Sequence, residues 1–208
     1  MAQRAPSAPS DPVMPPPPRR IGVLALQGAV REHAEAIRDV GAEPVLVRLP
    51  ADLEGLDALI LPGGESTAMR RLIDRYGLRE PILAMARQGA PILGTCAGMI
   101  LLATRVLDGR HDQRSFGAVD IAVRRNAYGR QVDSFEANLD VAGLDSPFPA
   151  VFIRAPVVES TGPEVTVLAH HEGRPVLAQQ GLVTVAAFHP ELAGDSRLHA
   201  RFLQEVRV

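Results

Sequence analysis

Three short stretches of this chain carry side chains whose types and spacing suit nucleophilic chemistry. Cys96, the only cysteine in 208 residues, sits in Pro91-Ile-Leu-Gly-Thr-Cys-Ala-Gly-Met99, where a short apolar strand breaks into a helix. Gly94 and Gly98 flank it two residues away on either side. A strand–turn–helix elbow needs glycine at those places, because two backbone segments pack closely there while the residue between them is held out at a strained φ/ψ. A helix starting near Ala97 would set unpaired N–H groups and a positive dipole end beside the sulfur, favouring the thiolate. A lone cysteine is more often a small buried hydrophobe, but that role requires neither glycine.

The second stretch is Ala187-Phe-His-Pro-Glu191, just past a strongly apolar run. In extended chain, residues two apart point to the same side, which brings Glu191 beside His189 while Pro190 stiffens the link. A histidine within reach of Cys96 takes the thiol proton and later protonates a leaving group. A carboxylate behind it fixes the tautomer and stabilises the charged ring. His-x-Glu recurs by chance, but here it and the elbow both fall at the C-terminal ends of predicted strands, the edge where open α/β sheets assemble sites.

The third stretch is Gly63-Gly64-Glu65-Ser66. It reads either as an ordinary tight strand–helix turn or as a source of inward-facing N–H groups. In the second case Gly64, with the N–H of Ala97, would form an oxyanion hole. A Walker-type phosphate loop does not fit, since that pattern needs a lysine. His33, His111, His170, His171 and His199 lack comparable framing and are read as solvated or satisfied structural groups.

All 22 basic residues are arginine, so the chain has no lysine with which to form a Schiff base. One cysteine permits neither an internal disulfide nor a Cys-x-x-Cys pair, which points to a reducing, cytoplasmic setting. The net charge of −2 gives no general footprint for nucleic acid or anionic membrane. No metal site or cofactor motif stands out. Seven prolines in the first twenty residues make 1–20 a disordered tail, with no apolar stretch before Ile21 of the kind a secretory leader needs.

From Ile21 short apolar runs alternate with helix-period segments. That is the pattern of a three-layer α/β domain, with a mostly parallel central sheet and helices on both faces. Strands are expected at Ile21–Leu26, Glu43–Val47, Ala58–Leu61 and Pro91–Leu93. Val30, His33, Ala34 and Ile37 share one helical face that Gly41 terminates. Further helices are expected over Ala68–Tyr76, with Ser66 or Thr67 as N-cap, and over Arg79–Gln88. The later part is strand-rich, at Val119–Val123, Ser134–Leu139, Val151–Ile153, Val165–Ala169, Val176–Gln179 and Val183–Phe188, and it closes with a helix over Ser196–Val206. Leu107–Phe116 reads as a mobile loop. Without a repeat or a second boundary, 21–208 is one domain.

Taken together and in this order, the three motifs resemble the class I, triad-type glutamine amidotransferases, which have a flavodoxin-like fold. Within that class the chain resembles the glutaminase-subunit family of pyridoxal 5′-phosphate synthase. Besides the motifs above, the resemblance rests on Gly22-Val-Leu-Ala-Leu-Gln-Gly28, Leu61-Pro-Gly-Gly-Glu-Ser-Thr67, Arg125-Asn-Ala-Tyr-Gly-Arg-Gln131, Asp133-Ser-Phe-Glu136, Phe152-Ile-Arg-Ala-Pro156 and Phe188-His-Pro-Glu-Leu192. It implies Cys96 as nucleophile, His189 as acid/base and Glu191 as its orienting partner. It further implies glutamine contacts from Gly64, Glu65, Ser66, Arg125, Ile153 and Arg154; the two arginines would otherwise be read as surface or ion-pair residues. The implied reaction is hydrolysis of L-glutamine to glutamate and ammonia without a cofactor. The implied partner is a synthase subunit that makes pyridoxal 5′-phosphate from ribose 5-phosphate or ribulose 5-phosphate and glyceraldehyde 3-phosphate with its own lysines, and that activates the glutaminase on docking. Two departures are small: Ala68 follows Ser66-Thr67 where a second Thr is common, and the Leu107–Phe116 loop is somewhat long. A competing reading keeps the fold and makes the chain a stand-alone γ-glutamyl or peptidase-like cysteine hydrolase; another makes Cys96 a noncatalytic oxidant sensor.

Overall fold

A computed structural model of the chain describes residues 17–109, 115–125 and 134–206. Most of the expected tail, the centre of the Leu107–Phe116 loop, His111 and the 126–131 part of the arginine motif lie outside the described residues.

The central sheet has seven strands. In chain order they are β1 (Arg20–Leu24), β2 (Glu43–Val47), β3 (Ala58–Leu61), β4 (Ile92–Thr95), β10 (Thr166–His171), β11 (Arg174–Gln180) and β12 (Val183–Ala186). Their spatial order is β10-β11-β12-β4-β3-β1-β2. The five strands from β12 to β2 are parallel, and β11 and β10 continue antiparallel from β12. This is the expected doubly wound sheet, with an antiparallel edge.

Alternation along the parallel strands separates two cores. Ile21, Val23, Ala58, Ile60 and Leu93 face one side and meet Ile37 of helix α1 (Val30–Asp39) and Phe202 and Leu203 of helix α5 (Arg197–Gln204). Leu24, Leu59, Leu61 and Ile92 face the other side. There they pack with α2 (Ser66–Arg75), α3 (Arg79–Arg87) and α4 (Ala97–Leu102) through Met69, Ile73, Ile82 and Met99. Each of the larger side chains among them contributes about 1.5–3 kcal/mol by leaving water, so both layers are firmly held to the strands whose ends build the site.

Two smaller sheets were only partly anticipated. One comprises β5 (Ala103–Val106), β6 (Val119–Arg124) and β9 (Val157–Thr161); the other is the antiparallel pair β7 (Phe135–Leu139) and β8 (Phe148–Phe152). Neither β5 nor β9 was expected, because each exposes about half its residues and carries no continuous apolar run. Strand β8 begins three residues before the expected Val151 since Pro147 and Pro149 disguise it; β7 pairs with it across Asn138–Pro149. Strand β12 ends at Ala186 rather than Phe188, where the chain turns so that His189 N–H donates to the Val151 carbonyl at 2.8 Å.

Candidate active site

Four strand ends meet at one point. Gln27 and Gly28 follow β1, Gly63 to Glu65 follow β3, Cys96 follows β4, and His189 follows β12. Parallel pairing of β12, β4, β3 and β1 puts all four at the same edge of the sheet, beside the place where strand order reverses.

The elbow has the expected geometry. Cys96 has φ 47° and ψ −100°, and its N–H donates to the Ala186 carbonyl at 2.8 Å, which ties the strained residue to β12. The flanking glycines are required by contact: a Cβ at Gly98 would lie 2.0 Å from the Leu61 carbonyl oxygen, and one at Gly94 would lie 2.8 Å from the Gly98 backbone. Cys96 is 7 % exposed, more covered than an elbow residue is expected to be. Its Sγ lies 3.9 Å from the Ile153 carbonyl oxygen, so the segment after β8 covers part of the sulfur.

His189 and Glu191 meet as expected, by a different local route. Pro190–Leu192 forms a 3-10 turn, not extended chain, and the turn brings Glu191 Oε1 to 2.8 Å from His189 Nδ1. Burial disfavours the charged ring of His189. Hydrogen bonds to Cys96 and Glu191, with the negative charge of both, outweigh that and raise its pKa to about 10. The Glu191 side chain is fully buried behind the ring.

These groups open into a cavity of about 630 Å³. Gly64, Glu65, Ser66, Cys96, Arg125, Ile153, Arg154 and His189 all line it, joined by Thr67 and Ile100. Arg125 is anchored at its rim: its guanidinium donates to Thr67 Oγ1 at 3.2 Å and to the Asp108 carbonyl at 3.1 Å. Arg154 adopts the left-handed φ of 45°, which turns the chain after Ile153 over the sulfur. Ala97 is buried at the first position of α4 and does not line the cavity, so any contribution is through its N–H. Among the described residues, no cluster of three His, Cys, Asp or Glu side chains is arranged to hold a metal ion.

The glycine turn is more constrained than its sequence indicates. The Gly63 carbonyl accepts from Ala29 N–H at 3.2 Å, which directs the Gly64 N–H away from the Gly28 turn, since the two groups of a trans peptide point oppositely. The expected N-cap at Ser66 or Thr67 is corrected: Glu65 caps α2, accepting from Thr67 N–H at 2.9 Å and Ala68 N–H at 2.7 Å. A longer acidic side chain reaches those donors from one position earlier and complements the helix dipole. Burial alone would raise the Glu65 pKa; the two N–H donors and Arg125 lower it. Glu65 N–H in turn donates to Gln27 Oε1 at 2.8 Å, linking the β1 turn to the β3 turn.

Residues 23–208 match the model of the SNO glutamine amidotransferase family. The chain belongs to that family. Among relatives of this SNO-family amidotransferase, the pyridoxal 5′-phosphate synthase subunit PdxT of Frankia alni is 57 % identical over 189 residues, covering 90 % of this chain and 95 % of that one. The PdxT subunit of Mycobacteroides abscessus is 53 % identical over 188 residues, covering 90 % and 97 %. A crystal structure of a glutamine amidotransferase superposes with a TM-score of 0.86 at 48 % identity, covering 90 % of this chain and 99 % of that chain. A putative GMP synthase protein from Thermoplasma acidophilum, at 16 % identity and a TM-score of 0.67 over 91 % of this chain and 94 % of that chain, shares the fold.

Sequence reasoning missed one further group in this amidotransferase. His33, on α1, is fully buried, and its Nε2 lies 3.3 Å from Glu191 Oε2. The signal was present, since His33 falls on the apolar face of α1 where an imidazole needs partners, but those partners come from distant segments.

Proposed function

We propose that the chain hydrolyses L-glutamine to glutamate and ammonia with Cys96, His189 and Glu191 as its triad, and that a synthase subunit uses the ammonia to make pyridoxal 5′-phosphate. The observation that carries this reading is the single file of sulfur, imidazole and carboxylate at a cavity of about 630 Å³, with arginines at its mouth. Arg125 and Arg154 suit the α-carboxylate of glutamine, while Gly64, Glu65, Ser66 and Ile153 shape the cleft around the rest. With both Glu65 carboxylate oxygens engaged by α2, that residue meets substrate through its backbone.

The chemistry follows from the proton balance. Cys96 Sγ, its proton held by His189, attacks the side-chain amide carbon of glutamine. The oxyanion is met by the N–H groups of Ala97 and Gly64. His189 gives its proton to nitrogen, the C–N bond breaks, and ammonia leaves a thioester on Cys96. Water then attacks the thioester as His189 takes up its proton; the C–S bond breaks, glutamate departs, and the thiolate of Cys96 is left beside the protonated His189. Glu191 keeps the imidazole in one tautomer throughout.

Ammonia in neutral water is mostly ammonium and a poor nucleophile, so a direct hand-over is chemically sensible. The Gln27–Glu65 and Ala29–Gly63 hydrogen bonds offer the docked synthase a route to the Gly63–Gly64 peptide. The reaction belongs in the cytoplasm. Glutamate release by the purified chain, alone and with the synthase, tests the reading: the rate should rise on adding synthase. Equal rates would contradict activation, and turnover of γ-glutamyl peptides without a partner would favour the stand-alone hydrolase.

A further inference from the structure

Behind the triad, away from the cavity, lies a buried row of polar groups that the mechanism above does not use. His33 of α1 and His199 of α5 are 0 % and 1 % exposed, and Thr95, the last residue of β4, is also fully buried. His33 Nδ1 lies 2.9 Å from His199 Nε2, and His33 Nε2 lies 3.1 Å from Thr95 Oγ1. The same Nε2 is 3.3 Å from Glu191 Oε2, the carboxylate oxygen turned away from His189. That oxygen is buried and makes no aligned hydrogen bond of its own.

Chemistry settles the tautomers of this row. A neutral imidazole has one N–H and one lone pair. A lone pair on His33 Nε2 would face an anionic oxygen with nothing between them, so the proton belongs on Nε2, hydrogen-bonded to Thr95 Oγ1 with its positive end beside Glu191 Oε2 at 3.3 Å. His33 Nδ1 then accepts from His199 Nε2–H. The group left over is His199 Nδ1, which has no partner among the described residues; as a lone pair it is a tolerable orphan, whereas a buried N–H there would not be.

We propose that His33, itself held by His199, is a positioning residue of the triad: its Nε2–H steadies the far oxygen of Glu191, so the near oxygen stays on His189 Nδ1 and the His189 ring stays aimed at Cys96. A neutral donor suits this task better than a cation, because a charge on His33 would offset that of Glu191 and weaken its hold on the His189 proton. Burial, then the charges of His199 and His189, keep His33 well below the ordinary histidine pKa. The ionisable groups around the row are Glu191, His189 and His199, with Asp39 influencing His199. The inference rests on the triad reading and goes beyond it, since neither His33 nor His199 lines the cavity.

The test is glutamine hydrolysis by the complex with its synthase, comparing His33→Leu, His33→Gln and Cys96→Ala with wild type. His33→Leu removes the donor at similar volume and should lower kcat about 10- to 100-fold, the size of a lost orienting contact, with KM within about twofold. His33→Gln returns an amide N–H to the same place and should recover kcat to within about threefold of wild type. A folded His33→Leu chain with wild-type kcat, or a His33→Gln chain as slow as His33→Leu, overturns the proposal. Cys96→Ala separates the two ideas: activity in that variant would refute the triad itself. Long-range 1H–15N spectra of the wild-type chain give a readout that needs no variant to fold. They should show His33 as the neutral Nε2–H form at pH 7; the Nδ1–H form or an imidazolium contradicts the inference.

Discussion

Glu191 Oε1 lies 2.8 Å from His189 Nδ1 although the two residues are separated only by a proline, and the pair is brought together by one short 3-10 turn. The turn places the carboxylate wholly out of water behind the ring, where its charge acts with little screening. It is one of the two partners that keep His189 protonated up to about pH 10.

Replacing Glu191 by Gln keeps the shape and removes the charge. By analogy with the orienting aspartate of serine triads, kcat for glutamine hydrolysis should fall by about 10²–10⁴-fold. Steady-state rates of the complex check this, and a loss smaller than about threefold, against the 10²–10⁴ expected for triads of this kind, would contradict the role.

Two glycines should fail in opposite ways. A Cβ at Gly63 would lie 2.3 Å from His189 Cε1 and 3.3 Å from Cys96 Cβ. The ring must then move, and a misplacement of about 1 Å costs on the order of 10²-fold in rate, while the fold accommodates a side-chain shift. At Gly98 the obstacle is the Leu61 backbone carbonyl at 2.0 Å, so β3 and α4 must part, at about 4 kcal/mol or more. Paired kcat and urea-unfolding measurements on Gly63→Ala and Gly98→Ala should show lost activity in the first and lost stability in the second.

Arg125 is held at the cavity mouth by Thr67 and Asp108. If it receives the glutamine α-carboxylate, Arg125→Ala loses a charge-assisted hydrogen bond of about 1.5–3 kcal/mol, and KM rises about 10- to 100-fold. Because that carboxylate is remote from the reacting amide, kcat should change much less. An unchanged KM would reassign Arg125 to loop anchoring alone.

Stability should depend on pH through His199. Burial, partly offset by Asp39, lowers its pKa to about 4. The unfolded chain therefore binds a proton near pH 6.5 that the folded chain refuses until about pH 4, and stability is lost as pH falls through that window. The loss from this group between pH 7 and pH 5 is about 2 kcal/mol, and His33 acts in the same direction. His199→Gln retains a donor toward His33 and cannot titrate, so its loss between the two pH values, measured by urea unfolding, should be smaller than wild type by about that amount. Equal losses would contradict the assignment.

The placement of the candidate triad was more legible in the sequence than its surroundings. Strands β1, β3 and β4 are short, largely apolar runs with glycine within or shortly after them (Gly28, Gly63 and Gly94), and that punctuation revealed both the elbow and the sheet edge. Cys96, His189 and Glu191 followed because each motif is local. The orientation of Glu191 was right for the wrong local reason, since Pro190 opens a 3-10 turn where extended chain was expected. Strands β5 and β9 escaped because a half-exposed edge strand such as Val157–Thr161 lacks a run to detect. His33 was placed on the correct helical face, yet its meaning depends on His199, 166 residues away, and no periodicity encodes that contact.

The central claim is that Cys96 carries the acyl group of glutamine. The complex should be mixed with glutamine, quenched in acid during turnover, and digested for mass spectrometry, with Cys96→Ala handled in parallel. A glutamyl thioester on the peptide containing Cys96, together with no glutamate release by Cys96→Ala, is the predicted result. Glutamate release that persists in Cys96→Ala would contradict it.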